Sequence, residues 1–221
     1  GFDRYFIENQ GQLGMEGVRF YIMTPDGLIA FTNMGMSLYN RGSGEERSPL
    51  LEPIVWFSFT DEGVPLVGVE RERTRFHFIG RDEDSAFVNV SAFSSIRYIG
   101  LYPGIDLEYR FVDGRLKYEY RVAPDGDPED IGVRVEGHTA LGGDGGDVLV
   151  VDTPMGRLID TGLVSYYQDE PGRVIDSSFR ILGPDRYGFE LEKVEPGRTV
   201  IIDPLIYGTL IGGSDEDGGI G

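Results

Sequence analysis

The stretch Ile105-Asp106-Leu107-Glu108-Tyr109-Arg110-Phe111-Val112-Asp113-Gly114-Arg115-Leu116-Lys117-Tyr118-Glu119-Tyr120-Arg121-Val122 decides the fold. Asp113-Gly114 is the pair that a two-residue type I′ loop favours, because both of its central residues need a positive φ. With that loop in place, Val112 faces Arg115, Phe111 faces Leu116, Tyr109 faces Tyr118, Leu107 faces Tyr120 and Ile105 faces Val122. Two independently alternating strands thus build one wholly apolar face. The other face carries Asp106, Glu108, Arg110, Lys117, Glu119 and Arg121. Glu108 opposes Glu119 and Arg110 opposes Lys117, so attraction has to come from the diagonals Glu108 to Lys117 and Arg110 to Glu119. A face built this way is expected to lie in water, which predicts antiparallel, sandwich-like sheets with one buried and one solvated side.

The same alternation recurs along the chain. Strands are predicted near Val18 to Met23, Gly27 to Thr32, Ile54 to Phe59, Arg75 to Ile79, Ser95 to Ile99, Ile131 to Glu136, Asp147 to Asp152, Gly156 to Asp160, Leu163 to Gln168, Val174 to Leu182, Tyr187 to Lys193 and Thr199 to Ile202. No window of about eleven residues shows apolar spacing of three and four free of Gly or Pro, so almost no helix is expected. The fold class is all-β, as one body or as two packed subdomains.

Composition sets the surroundings. A 40% hydrophobic and 12% aromatic content belongs to a folded chain. The formal charge of -18 repels nucleic-acid phosphate and anionic lipid, so no nucleic acid is expected as a partner. All but two of the 20 basic residues are arginine, the exceptions being Lys117 and Lys193. Such a surface suits either a salt-rich milieu or a GC-rich genome. There is no cysteine, hence no disulfide and no thiolate metal site. No run of about 18 apolar residues predicts direct membrane insertion.

Several stretches in order carry a family resemblance: Glu8-Asn9-Gln10-Gly11-Gln12, Val18-Arg19-Phe20-Tyr21, Phe76-His77-Phe78-Ile79-Gly80, Arg97 to Tyr109 with Leu101-Tyr102-Pro103-Gly104-Ile105-Asp106 at its centre, Tyr118 to Gly126, and Ile202-Asp203-Pro204. Together they resemble the N-terminal module of secreted bacterial and archaeal proteins that carry SBBP (seven-bladed β-propeller) repeats. The resemblance implies an extracellular or cell-surface setting and brings no catalytic residues. It divides the chain into an all-β module over residues 1–203 and the truncated start of a first propeller repeat over 204–221. Pro204 is expected to end a ladder at that boundary.

Candidate sites follow from residue chemistry. Glu108 with Glu119, or Glu190 with Glu192, supplies the paired carboxylates a glycosidase needs. His77 and His138 form no constellation by spacing. Asp125, Asp127 and Asp130, and separately Asp215 and Asp217, place hard oxygens in turns that suit Ca²⁺, without the twelve-residue loop and terminal Glu of a Ca²⁺ hand. Tyr98, Tyr102, Tyr166 and Tyr167 are the candidate sugar-stacking platform. The expected function is a non-catalytic module for adhesion, surface assembly or ligand binding, with a carbohydrate-binding or carbohydrate-active module as the alternative. Expected partners are a polysaccharide or a surface protein, or a second copy reached through the strand that begins at Leu205.

Overall fold

The computed structural model describes residues 5–25, 27–41, 51–78 and 87–208. Seventeen strands run through them: β1 Phe6–Glu8, β2 Val18–Thr24, β3 Gly27–Thr32, β4 Gly35–Arg41, β5 Leu51–Ser58, β6 Leu66–Phe78, β7 Phe87–Tyr102, β8 Ile105–Val112, β9 Arg115–Val122, β10 Val133–Glu136, β11 Ala140–Gly143, β12 Leu149–Thr153, β13 Gly156–Tyr167, β14 Glu170–Ile175, β15 Ser177–Gly183, β16 Arg186–Leu191 and β17 Val200–Gly208. A single 3₁₀ turn at Pro128–Asp130 is the one helical element among the described residues. The chain is all-β, and every pairing is antiparallel.

Hairpin β8–β9 adopts the register its turn dictates, from Ile105 opposite Val122 to Val112 opposite Arg115. Asp113 and Gly114 both take positive φ, 51° and 74°. From this hairpin the pairing spreads both ways. One arm runs β8 to β7, β1, β2, β3, β4, β5, β10, β16 and β15. The other runs β9 to β17, β13, β12 and β11. The two arms meet again where the Phe179 amide of β15 donates to the Gly146 carbonyl, just before β12, at 2.8 Å. One sheet thus curls until it nearly closes into a barrel, with β6 paired to β7 and β14 to β13.

The inner face is one continuous core. An aromatic series crosses it, with ring centroids 6.4 Å apart for Tyr98 and Tyr109, 5.6 Å for Tyr109 and Tyr118, 5.9 Å for Tyr118 and Tyr120, and 5.5 Å for Tyr120 and Phe189. Strand β3 and the centre of β2 are buried on both faces. Phe20, Ile22, Ile29 and Phe31 enter the main core, whereas Tyr21, Leu28 and Ala30 join a smaller cluster under Phe76 and Phe78 of β6. That double burial explains why β3, Gly-Leu-Ile-Ala-Phe-Thr, reads as a continuous apolar run.

Three features correct the sequence reading. Strand β17 does not stop at Pro204 but continues to Gly208 along β13. The missing proline N–H is accommodated at a β-bulge, where β13 shifts register between Thr161 and Val164 and Gly162 takes φ 65°. In consequence one edge of the backbone of Leu205–Gly208 is laddered to Leu158–Thr161. The remaining tail, with Asp215 and Asp217, lies outside the described residues. Finally, the strand pairs Gly156 to Asp160 with Leu163 to Gln168 are one strand, β13, bent at the same bulge.

Candidate functional site

The charged side of the β8–β9 hairpin is half-covered but still reaches water. Strand β13 and the turn into β14 rise beside it, so that Asp106, Glu108, Glu119, Arg121, Tyr166 and Gln168 line a groove of about 410 Å³. Cross-strand repulsion is relieved with help from neighbouring strands. Glu108 is taken by Arg97 of β7, whose Nε and Nη2 donate to Oε2 at 2.9 and 2.6 Å. Arg110 holds Glu119 at 2.7 Å, the diagonal expected from sequence. Lys117 turns away from Glu108 to Asp203 of β17, at 2.7 Å. The Asp106 carboxylate accepts the Gly100 amide at 2.7 Å and so shapes the turn of β7. Each of the three carboxylates lining the groove therefore has a partner. Arg97 and Arg121 still offer further guanidinium N–H donors, because among the described residues Arg121 spends only its Nε on Gln168, at 3.0 Å. The neighbouring acids and burial together push the Tyr166 hydroxyl pKa up, burial being the larger cause.

The four tyrosines expected to form one platform are dispersed. Tyr98 is fully buried and donates to the Gly35 carbonyl at 2.8 Å. Tyr102 donates to the Phe59 carbonyl at 2.8 Å. Tyr167 is covered by Arg198, whose guanidinium carbon lies 4.0 Å from the ring centroid, and its hydroxyl accepts the Glu195 amide at 2.9 Å. Only Tyr166 reaches the groove.

Other candidates occupy separate places. Glu190 is exposed near the end of β16, and the amide of Glu192 beyond it donates to Asp176. His77 is exposed on β6, whereas His138 sets its Nε2 2.9 Å from the Pro184 carbonyl. Asp127 caps the 3₁₀ turn by accepting the Glu129 amide at 3.0 Å, and Asp130 lines a second surface pocket with Tyr102, Arg134 and Arg186. Among the described residues no three His, Asp or Glu side chains converge as a metal cage, and Asp125, Asp127 and Asp130 do not form one.

The structure also reveals a group that sequence reasoning missed. Asp160 of β13 points into the core and accepts a 2.5 Å hydrogen bond from the Tyr118 hydroxyl through Oδ2. Its Oδ1 is buried without a partner among the described residues. Burial raises its carboxyl pKa from 3.8 to about 7, and the Tyr118 hydrogen bond offsets part of that rise. The signal was in the strand's phase: Asp160 follows Leu158 by two residues and so shares its inward face.

A family model described as a domain of unknown function (DUF7948) matches residues 6–205. No curated protein and no solved structure matches the chain.

Proposed function

Because the chain belongs to the DUF7948 domain family, whose description carries no activity, we propose a function from the geometry of the outer groove. The module is a non-catalytic, extracellular or cell-surface β unit that precedes a β-propeller and binds a polar polymer along the charged face of hairpin β8–β9. One observation carries this reading: Asp106, Glu108 and Glu119, the acids that line the groove, are engaged by a backbone amide or a guanidinium. A general acid needs a desolvated carboxyl kept protonated near neutral pH, and a guanidinium beside a carboxylate favours the ionised form instead. What the groove does offer is planar guanidinium donors beside Tyr166 and Gln168, which suit the hydroxyls and carboxylates of a polysaccharide. The resemblance around Leu101 to Asp106 supports the surface setting.

The test is to incubate the chain with a panel of neutral and uronic-acid polysaccharides, following both retention and polymer length. The reading expects reversible retention with length unchanged. Shortened polymer would replace it with the carbohydrate-active alternative.

A further inference from the structure

Behind the β9 wall of the groove, on the core side, Asp160 faces an internal cavity of about 50 Å³. The lining comes from eight strands and is almost entirely apolar. Strands β3, β4, β5 and β12 contribute only Ile29, Met36, Leu38, Phe57, Leu149 and Val151. Strands β8, β9 and β16 bring the titratable groups that face Asp160, namely Tyr109, Tyr118, Tyr120 and Tyr187. No Lys, Arg or His lies among the lining residues. A buried carboxylate oxygen without a donor is costly, and ionised carboxylates only accept.

We propose that this cavity binds a small primary ammonium ion, of the size of ammonium or methylammonium, with its N–H donating to Asp160 Oδ1 and the tyrosine rings surrounding its charge. Three physical features of the cavity select this class. A hard divalent cation needs six or more oxygen ligands and two charges to balance it, whereas the cavity lining offers one carboxylate beside uncharged tyrosine hydroxyls. A water molecule satisfies a lone pair but leaves the buried charge uncompensated, whereas an ammonium ion does both. Aromatic walls favour organic and ammonium cations through their ring quadrupoles. Size sets the upper limit, since benzene needs a cavity of about 150 Å³. The site is independent of the outer groove, and either can fail without the other.

Binding requires ionised Asp160, so affinity rises with pH through the region near neutrality. The experiment measures thermal unfolding of the whole chain in methylammonium chloride against sodium chloride of equal ionic strength, at acid and alkaline pH. A higher midpoint in methylammonium, seen at alkaline pH and lost in Asp160→Asn, is the expected result. Tetraethylammonium, too large for the cavity, should give no such rise. Equal midpoints in methylammonium and sodium at both pH values, which would mean that only water occupies the cavity, overturn the proposal. So does a methylammonium effect that persists in Asp160→Asn. Should that variant not fold, NMR of the unaltered chain decides: contacts from methylammonium protons to the rings of Tyr118 or Tyr120 support the site, and their absence overturns it.

Discussion

The hydroxyl of Tyr118 and the carboxyl of Asp160 meet at 2.5 Å across the strands β9 and β13, inside an otherwise apolar core. Burial lifts the Asp160 pKa to about 7. The unfolded chain holds this carboxyl near its ordinary 3.8, so the native state binds the proton more tightly. The resulting stability is fully present below the unfolded pKa and is lost as pH rises through about 7. At its upper limit the effect is on the order of 4 kcal/mol. Urea unfolding of the unaltered chain and of Asp160→Asn, taken from acid to alkaline pH, reads it out. The unaltered chain should lose stability relative to the variant over that interval, and parallel curves would contradict the assignment.

Lys117 and Asp203 tie the hairpin to the central strand β17, with side chains only 22% and 11% exposed. The second carboxylate oxygen of Asp203, Oδ1, is buried without a partner among the described residues. Replacing Lys117 by Met leaves a half-buried acid unpaired and should cost about 2 kcal/mol, less than a fully buried pair because some water reaches it. The double variant Lys117→Met with Asp203→Leu should recover most of that loss in a denaturation cycle.

Gly35 and Gly142 make opposite predictions. A Cβ on Gly35 would lie 2.0 Å from the Phe57 carbonyl oxygen, whereas one on Gly142 meets nothing within 4 Å. Gly35→Ala should therefore lower stability by about 3 kcal/mol or prevent folding, because backbone cannot move aside. Gly142→Ala should be neutral or slightly stabilising by the same unfolding measurement.

The hairpin turn allows a milder test. Asp113 sits at φ 51°, a conformation that Asn and Gly tolerate and β-branched residues do not. Asp113→Val should cost about 1–2 kcal/mol, while Asp113→Asn should leave the unfolding midpoint nearly unchanged.

Much of this architecture was legible because alternation and turn chemistry are local signals. The register of β8 and β9 followed from Asp113-Gly114 alone. What escaped was long-range. Strand β4, Gly-Met-Ser-Leu-Tyr-Asn-Arg, has no β-branched residue, and β11, Ala-Leu-Gly-Gly, is half glycine; tertiary pairing makes both into strands. The length of β6 and β7 was hidden by bulges that break their period. The groove was visible only as a charged face, because its wall comes from β13, roughly 50 residues further along. The partners of Glu108 and Lys117 likewise come from β7 and β17.

The outer groove is the proposed ligand-holding surface, and a polysaccharide array probed with three proteins tests it most directly. The unaltered chain should be retained by at least one polymer class, and Arg121→Ala and Tyr166→Ala should each weaken that retention by about tenfold while leaving the unfolding midpoint intact. Retention unaffected by both substitutions would contradict the account.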